Sequence, residues 1–170
     1  MKKAFTLLII TLFSLAIVGD VFAEEMAKEG TVSGTVSYSC PVNVMMMGKD
    51  LQYTFDALGV YVTDSPESPF NNASVRILGS GVILKGVYTE MGSTTFTLPN
   101  GDQVFNVYES KGVGENKMKG TLTFTGGTGN FAGLTGQGEF DRCNVAKPAM
   151  KGTVQGYAKN KFTWKIEKAE

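Results

Sequence analysis

The sequence predicts an all-β protein, an eight-stranded antiparallel up-and-down β-barrel. Three observations carry that expectation. Apolar and polar residues alternate with the two-residue period of half-buried strands, short turn signals separate the runs, and no stretch holds a convincing amphipathic helix. The glycine-rich stretch Gly126 to Phe140, which lies between one clean alternating strand and another, adds to them.

Residues 1–23 have the form of a signal peptide: Lys2 and Lys3, an apolar run of about 15 residues, and the ending Val21-Phe22-Ala23. That run is shorter than the roughly 20 residues a spanning helix needs. The expectation is cleavage after Ala23, a secreted or periplasmic location, no membrane span in the mature chain, and a single β-barrel domain over 24–170. An uncleaved anchor is the alternative, since Asp20 sits awkwardly near the cleavage point.

The strands follow in order. TVSGTVSYS places Val32, Gly34, Val36 and Tyr38 on one face, and LQYTFDALGVYV does the same for Tyr53, Phe55, Ala57, Gly59 and Tyr61. SVRILGSGVILKGVYTE is long enough for two strands, or for one bent hard at Gly79 to Gly81. TTFTL and QVFNVYES flank Pro99-Asn100-Gly101-Asp102, whose Asn-Gly pair signals a hairpin. KGTLTFTG puts Leu122 and Phe124 on one face, and the closing strands MKGTVQGYA and KFTWKIE are read as joined near Lys159-Asn160. Two longer connections, 41–50 and 64–74, are placed at one rim, where they would fold over a mouth of the barrel. Met45 to Met47 in the first are apolar filler, a ligand-facing lid, or, with Cys40, a soft-metal site suited to Cu(I).

Gly126, Gly127, Gly129, Gly133 and Gly136 recur too often for a helix and fit a corner between strands, with Phe131 and Leu134 as inward anchors. Together with Gly101, Asp102, Gly120 and Phe124, this run resembles the allene oxide cyclase/dirigent-like barrel family and its uncharacterised secreted bacterial relatives. The resemblance covers about 40 residues and implies a calycin-like barrel with a central cavity. It does not place that family's acidic and arginine residues on this chain. Gly127-Thr-Gly129-Asn-Phe-Ala132 also fits a dinucleotide fingerprint, but Gly133, Gly136 and Gly138 would break the helix that fingerprint requires, and Met150 to Thr153 holds no acid.

The chain contains no histidine, so Ser-His-Asp and Cys-His nucleophile systems cannot be built and zinc loses its usual ligands. No catalytic residue, metal site or cofactor is assigned. A formal charge of +0 without a basic run excludes a nucleic-acid footprint. Cys40 and Cys143, the only cysteines, are expected to pair as a disulfide in an exported chain, two unpaired thiols being the alternative. Asp56, Arg76, Asn106, Glu109 and Glu139 interrupt strands, and their charges are assigned to the outer face. Tyr38, Tyr53, Phe55, Tyr61, Phe124 and Trp164 are core residues that double as candidate ligand walls.

The function expected is non-catalytic binding of a small hydrophobic or aromatic ligand inside the barrel. The alternatives are a cofactor-free isomerase or cyclase, or a dirigent-like protein guiding a reactive intermediate, and a structural barrel that offers its surface to a protein partner. The sequence leaves the oligomeric state open.

Overall fold

A computed structural model of the chain describes residues 27–113 and 117–167, so the expected signal peptide lies outside the described residues. Eight antiparallel strands close into a barrel in sequence order: β1 (Glu29–Met47), β2 (Asp50–Thr63), β3 (Ala73–Leu84), β4 (Val87–Thr97), β5 (Gln103–Val113), β6 (Lys117–Gly127), β7 (Leu134–Asn144) and β8 (Thr153–Ile166). The ladder closes through β1 and β8, which pair from Glu29↔Lys165 to Pro41↔Thr153 and leave the sheet without a free edge.

Side chains alternate between lumen and solvent along each strand, as the sequence pattern requires. Val32, Val36, Tyr53, Ala57, Tyr61, Leu122 and Phe124 are all buried. The strand boundaries differ from the sequence reading in two places. β1 runs on through Met47 instead of stopping at Pro41, because the β8 ladder reaches as far as Pro41 and the β2 ladder, interrupted at Cys40 and Pro41, resumes at Val42↔Phe55 and runs to Met47↔Asp50. Residues 153–166 form one strand with no turn at Lys159-Asn160, and TTFTL extends β4, so the total remains eight.

The two ends of the barrel are built differently. In an up-and-down barrel the β1–β2, β3–β4, β5–β6 and β7–β8 connections share one end. The connections 64–72, 98–102 and 128–133 share the other. The segments 41–50 and 64–74 therefore lie at opposite ends, separated by the length of β2, and do not cover a common mouth.

Phe70, carried by the 64–72 connection, closes the second end. Its ring packs against Phe96, Phe124, Phe131, Phe162 and Trp164, with centroids 5.2–6.5 Å apart. Burying such a side chain completely is worth about 1.5–3 kcal/mol, before the further gain from edge-to-face ring geometry. Tyr61, Leu98 and Leu134 complete this solid aromatic plug.

The glycine corner is the hinge of the plugged end. A short 3-10 turn, Gly129–Phe131, swings the Phe131 ring inward. Asp102 of the neighbouring connection accepts a hydrogen bond from the Asn130 N–H at 3.0 Å, while Thr128 Oγ1 accepts from the Gln103 N–H at 2.8 Å. Gly129 has φ 53°, and a Cβ there would overlap the Asp102 carboxylate. The Gly-Asp pair and the glycine run are thus one architectural unit.

Cys40 and Cys143 are free, contrary to the expected disulfide. They lie on β1 and β7, on either side of β8, so two ladder spacings alone separate them by about 10 Å, beyond the roughly 7 Å that a disulfide spans. They also point to opposite faces of the wall. Cys40 is buried toward the lumen, whereas Cys143 sits at the outward parity of β7, next to Tyr157.

Candidate functional site

The inward period of β4 reads Tyr88, Glu90, Gly92, Thr94, Phe96, and that of β7 reads Leu134, Gly136, Gly138, Phe140, Arg142. Each strand therefore points one charged side chain into the lumen. Glu90 and Arg142 meet there as a bidentate pair, with Nη1 donating to Oε1 at 2.5 Å and Nη2 to Oε2 at 2.9 Å. Their side chains are 1% and 13% exposed.

Two tyrosines complete the carboxylate's shell. Tyr53 of β2 donates to Oε2 at 2.7 Å, and Tyr108 of β5 donates to Oε1 at 3.1 Å. The rings fit because Gly79 and Gly81 on β3 leave out side chains: a Cβ at Gly79 would strike the Tyr108 hydroxyl, and one at Gly81 the Tyr53 hydroxyl. These mid-strand glycines are close-approach positions, with no break in the strand. Nearby, Tyr38 of β1 donates to Asn144 Oδ1 at 2.6 Å.

Burial pushes the Tyr38, Tyr53 and Tyr108 hydroxyls well above the usual phenol range, and the Glu90 charge adds to the effect. For Arg142, burial opposes the charge, but attraction to Glu90 and the bonds to it outweigh that cost and hold its pKa above the ordinary value. The cluster therefore consists of tyrosines that keep their protons, a cation that keeps its charge, and a carboxylate whose two oxygens already receive four donors.

Above this cluster, toward the hairpin end, lies a cavity of about 240 Å³ walled by Tyr38, Val42, Leu51, Tyr53, Phe55 and Ile83, among others. On the plug side, a smaller chamber of about 60 Å³ shares Tyr38, Phe55 and Arg142 with it and extends to Thr94, Asn106 and Asn160. Asn106 is 2% exposed, and both its carboxamide oxygen and nitrogen lack partners, as does the Arg142 Nε. Beside it the β5–β6 ladder shifts register, Phe105 pairing with Gly126 and Asn106 with Phe124, so that Thr125 of β6 is the extra residue of a bulge.

Tyr38, Tyr53 and Phe55 line the cavity, whereas Tyr61, Phe124 and Trp164 belong to the plug. Asp56 and Arg76 form an exposed pair on the outer wall, at 2.7 Å between Oδ2 and Nη2, and Glu109 and Glu139 are also exposed. Asn106 departs from its group by facing inward. Met45 to Met47 are exposed at the hairpin tip, about 17 Å along the strand from the buried Cys40, so no soft-metal set is assembled. Glu90, Tyr108 and Arg142 were not singled out by the sequence reading. The available signal was parity, since counting back by twos from Phe96 and Phe140 reaches Glu90 and forward reaches Arg142.

No family model matches the chain, and no curated protein matches it. Among solved structures, a pterocarpan synthase dirigent protein superposes with a TM-score of 0.51 at 12% identity, over 85% of this chain and 90% of that one. The fold is therefore that of a dirigent-like barrel, in agreement with the resemblance carried by the glycine run.

Removing one partner of the buried pair should be costly. Arg142→Met, which strands the Glu90 carboxylate, should lower stability by about 3–5 kcal/mol in denaturant unfolding, while Glu90→Gln combined with Arg142→Met, which removes the charge and keeps an acceptor for the Tyr53 and Tyr108 hydroxyls, should recover a large part of it. The tyrosines set a second expectation. Their folded-state pKa values lie above the ordinary 10.0, so the stability linked to them is fully present below that pH and is lost as pH rises beyond it, because the unfolded chain gives up these protons first. In an alkaline titration, phenolate absorbance from the buried tyrosines should appear together with loss of near-ultraviolet circular dichroism.

Proposed function

We infer that the barrel is an exported, non-catalytic binding protein for a small apolar or aromatic molecule that carries an acceptor oxygen. The single observation supporting this is an apolar cavity of about 240 Å³ that leads, past the Arg142–Glu90 cluster, to polar groups left without partners. A ligand's ring system would occupy the space beside Phe55, Leu51 and Ile83. Its oxygen would accept from Arg142 Nε or the Asn106 amide, groups whose burial without a partner costs about 1–3 kcal/mol each.

The same geometry argues against proton-transfer chemistry. Both oxygens of the Glu90 carboxylate are already occupied by four donors, and tyrosines held above their usual pKa are donors that do not ionise near neutrality. The dirigent-like fold supports a second reading, in which the cavity holds a reactive intermediate made elsewhere and constrains how it closes. That role needs shape and orientation but no base. The two readings differ in whether the ligand is recovered unchanged.

Asn106→Leu separates a binding role from a structural one. Replacing an unsatisfied carboxamide with an apolar group of similar shape should leave the free protein as stable as before, or more stable by about 1–2 kcal/mol. It should also weaken a polarity-sensitive ketone fluorophore about tenfold, the equivalent of one hydrogen bond of roughly 1.4 kcal/mol. Fluorescence titration and thermal unfolding give the two readouts. Equal affinity in both proteins would remove Asn106 from the site, and stereoselective conversion of a bound precursor would favour the guiding role.

A further inference from the structure

The hairpin end of the barrel has its own chemistry, independent of what the cavity holds. Exposed apolar side chains stand at or beside its four connections: Met45 and Met46 near the end of β1, Leu84 and Val87 on either side of the β3–β4 turn, Val113 at the end of β5, and Met150 between β7 and β8. Met46 is 64% exposed and Val113 is 82% exposed, although large apolar residues have ample buried positions in a closed barrel. Each hairpin contributes to the ring, so the feature belongs to the whole rim.

Lysines are interleaved with these tips. Lys49, Lys85, Lys117, Lys147 and Lys151 are all exposed in or directly beside the same four connections. Among the described residues there, Asp50 is the one acid, and its Oδ1 accepts the Lys85 N–H at 2.8 Å, tying two hairpins together. The sequence adds Glu115 in the β5–β6 connection. At the plugged end the sign reverses, since the connections 64–72, 98–102 and 128–133 carry Asp64, Glu67 and Asp102 with no lysine or arginine. A chain with a formal charge of +0 is thus polarised along the barrel axis.

We propose that this rim docks on an anionic lipid bilayer, with the mouth of the cavity facing the membrane. A protein partner usually meets one continuous patch, whereas four tips about 10 Å apart around a ring meet a planar surface together. Methionine, leucine and valine at the tips enter the headgroup–acyl boundary, and lysine stems lie along it while their ammonium groups reach lipid phosphates. The acidic plugged end is held away from the same surface. In this orientation an apolar molecule passes between bilayer and cavity without crossing water.

The test is flotation of the processed, exported protein with vesicles of phosphatidylcholine alone or mixed with phosphatidylglycerol. Wild type should float with the anionic vesicles, at least tenfold less with the neutral ones, and progressively less as salt rises. Lys85→Glu/Lys147→Glu/Lys151→Glu and Met46→Ser/Val113→Ser change only exposed positions, so their circular dichroism should match wild type while flotation falls at least tenfold. Met46→Trp should show a blue-shifted emission with anionic vesicles, whereas wild-type emission, from Trp164 in the plug, should not move. Asn106→Leu should float like wild type, which separates docking from ligand binding. Failure of wild type to float with anionic vesicles would overturn the proposal. So would flotation untouched by both sets of rim substitutions, or a dimer in light scattering that those substitutions dissolve, which would make the rim a self-association surface.

Discussion

The Arg142–Glu90 ion pair is the constraint on which the open half of the barrel depends. A carboxylate 2% exposed has lost its contact with water, and here four donors from its neighbours take the water's place. The donors come from β2, β5 and β7 and converge on β4, so one polar centre links strands that are far apart in sequence and on different sides of the lumen. Large side chains are thereby committed to a fixed layer. The lumen above that layer stays hollow because Tyr53 and Tyr108 are drawn down toward Glu90, into the space left by Gly79 and Gly81.

The plugged half obeys the opposite logic. Phe70 enters from a connection, and the rings around it interlock through edge-to-face contacts, leaving no polar requirement except at the Tyr61 hydroxyl and the Trp164 Nε1. Packing at interior density makes this end rigid. An eight-stranded barrel has an interior just wide enough to be filled or to hold one small ligand, and this chain divides the two outcomes between its ends. The division sets the polarity of the molecule, with a sealed acidic end and an open end ringed by lysines and apolar tips.

Much of the fold was legible in the sequence because two-residue alternation is a local signal. Val36, Tyr53, Phe55 and Phe124 fall on the lumen side as the pattern says, and the Asn100-Gly101 turn sits between β4 and β5. What the sequence hid was non-local. Pro41 reads as a strand end, yet the β2 ladder resumes just beyond it; the 64–74 segment reads as a cover over the same mouth as 41–50, yet its phenylalanine fills the far end. The cysteines invited a bridge because their count is even, while their opposed facing appears only once β8 lies between them. Glu90 and Arg142 were passed over because a charge on a strand is usually solvated, and only the closed barrel shows each supplying the other's partner. Asn106 was visible as a polar interruption, and it faces inward with the unbroken alternation of Val104, Tyr108 and Ser110, which only the closed barrel turns into a lumen position.

The proposed ligand enters the hollow half and stops short of the plug. The most direct measurement is quenching of tryptophan emission by an apolar nitroxide in wild type and in Phe55→Trp. Trp164 sits within the plug, and Phe55 lines the cavity, so the nitroxide should quench the added emission of Phe55→Trp at saturating ligand and leave wild-type emission nearly unchanged. Strong quenching of Trp164 in wild type, or no quenching in either protein, would contradict a ligand held in the hollow half, clear of the plug.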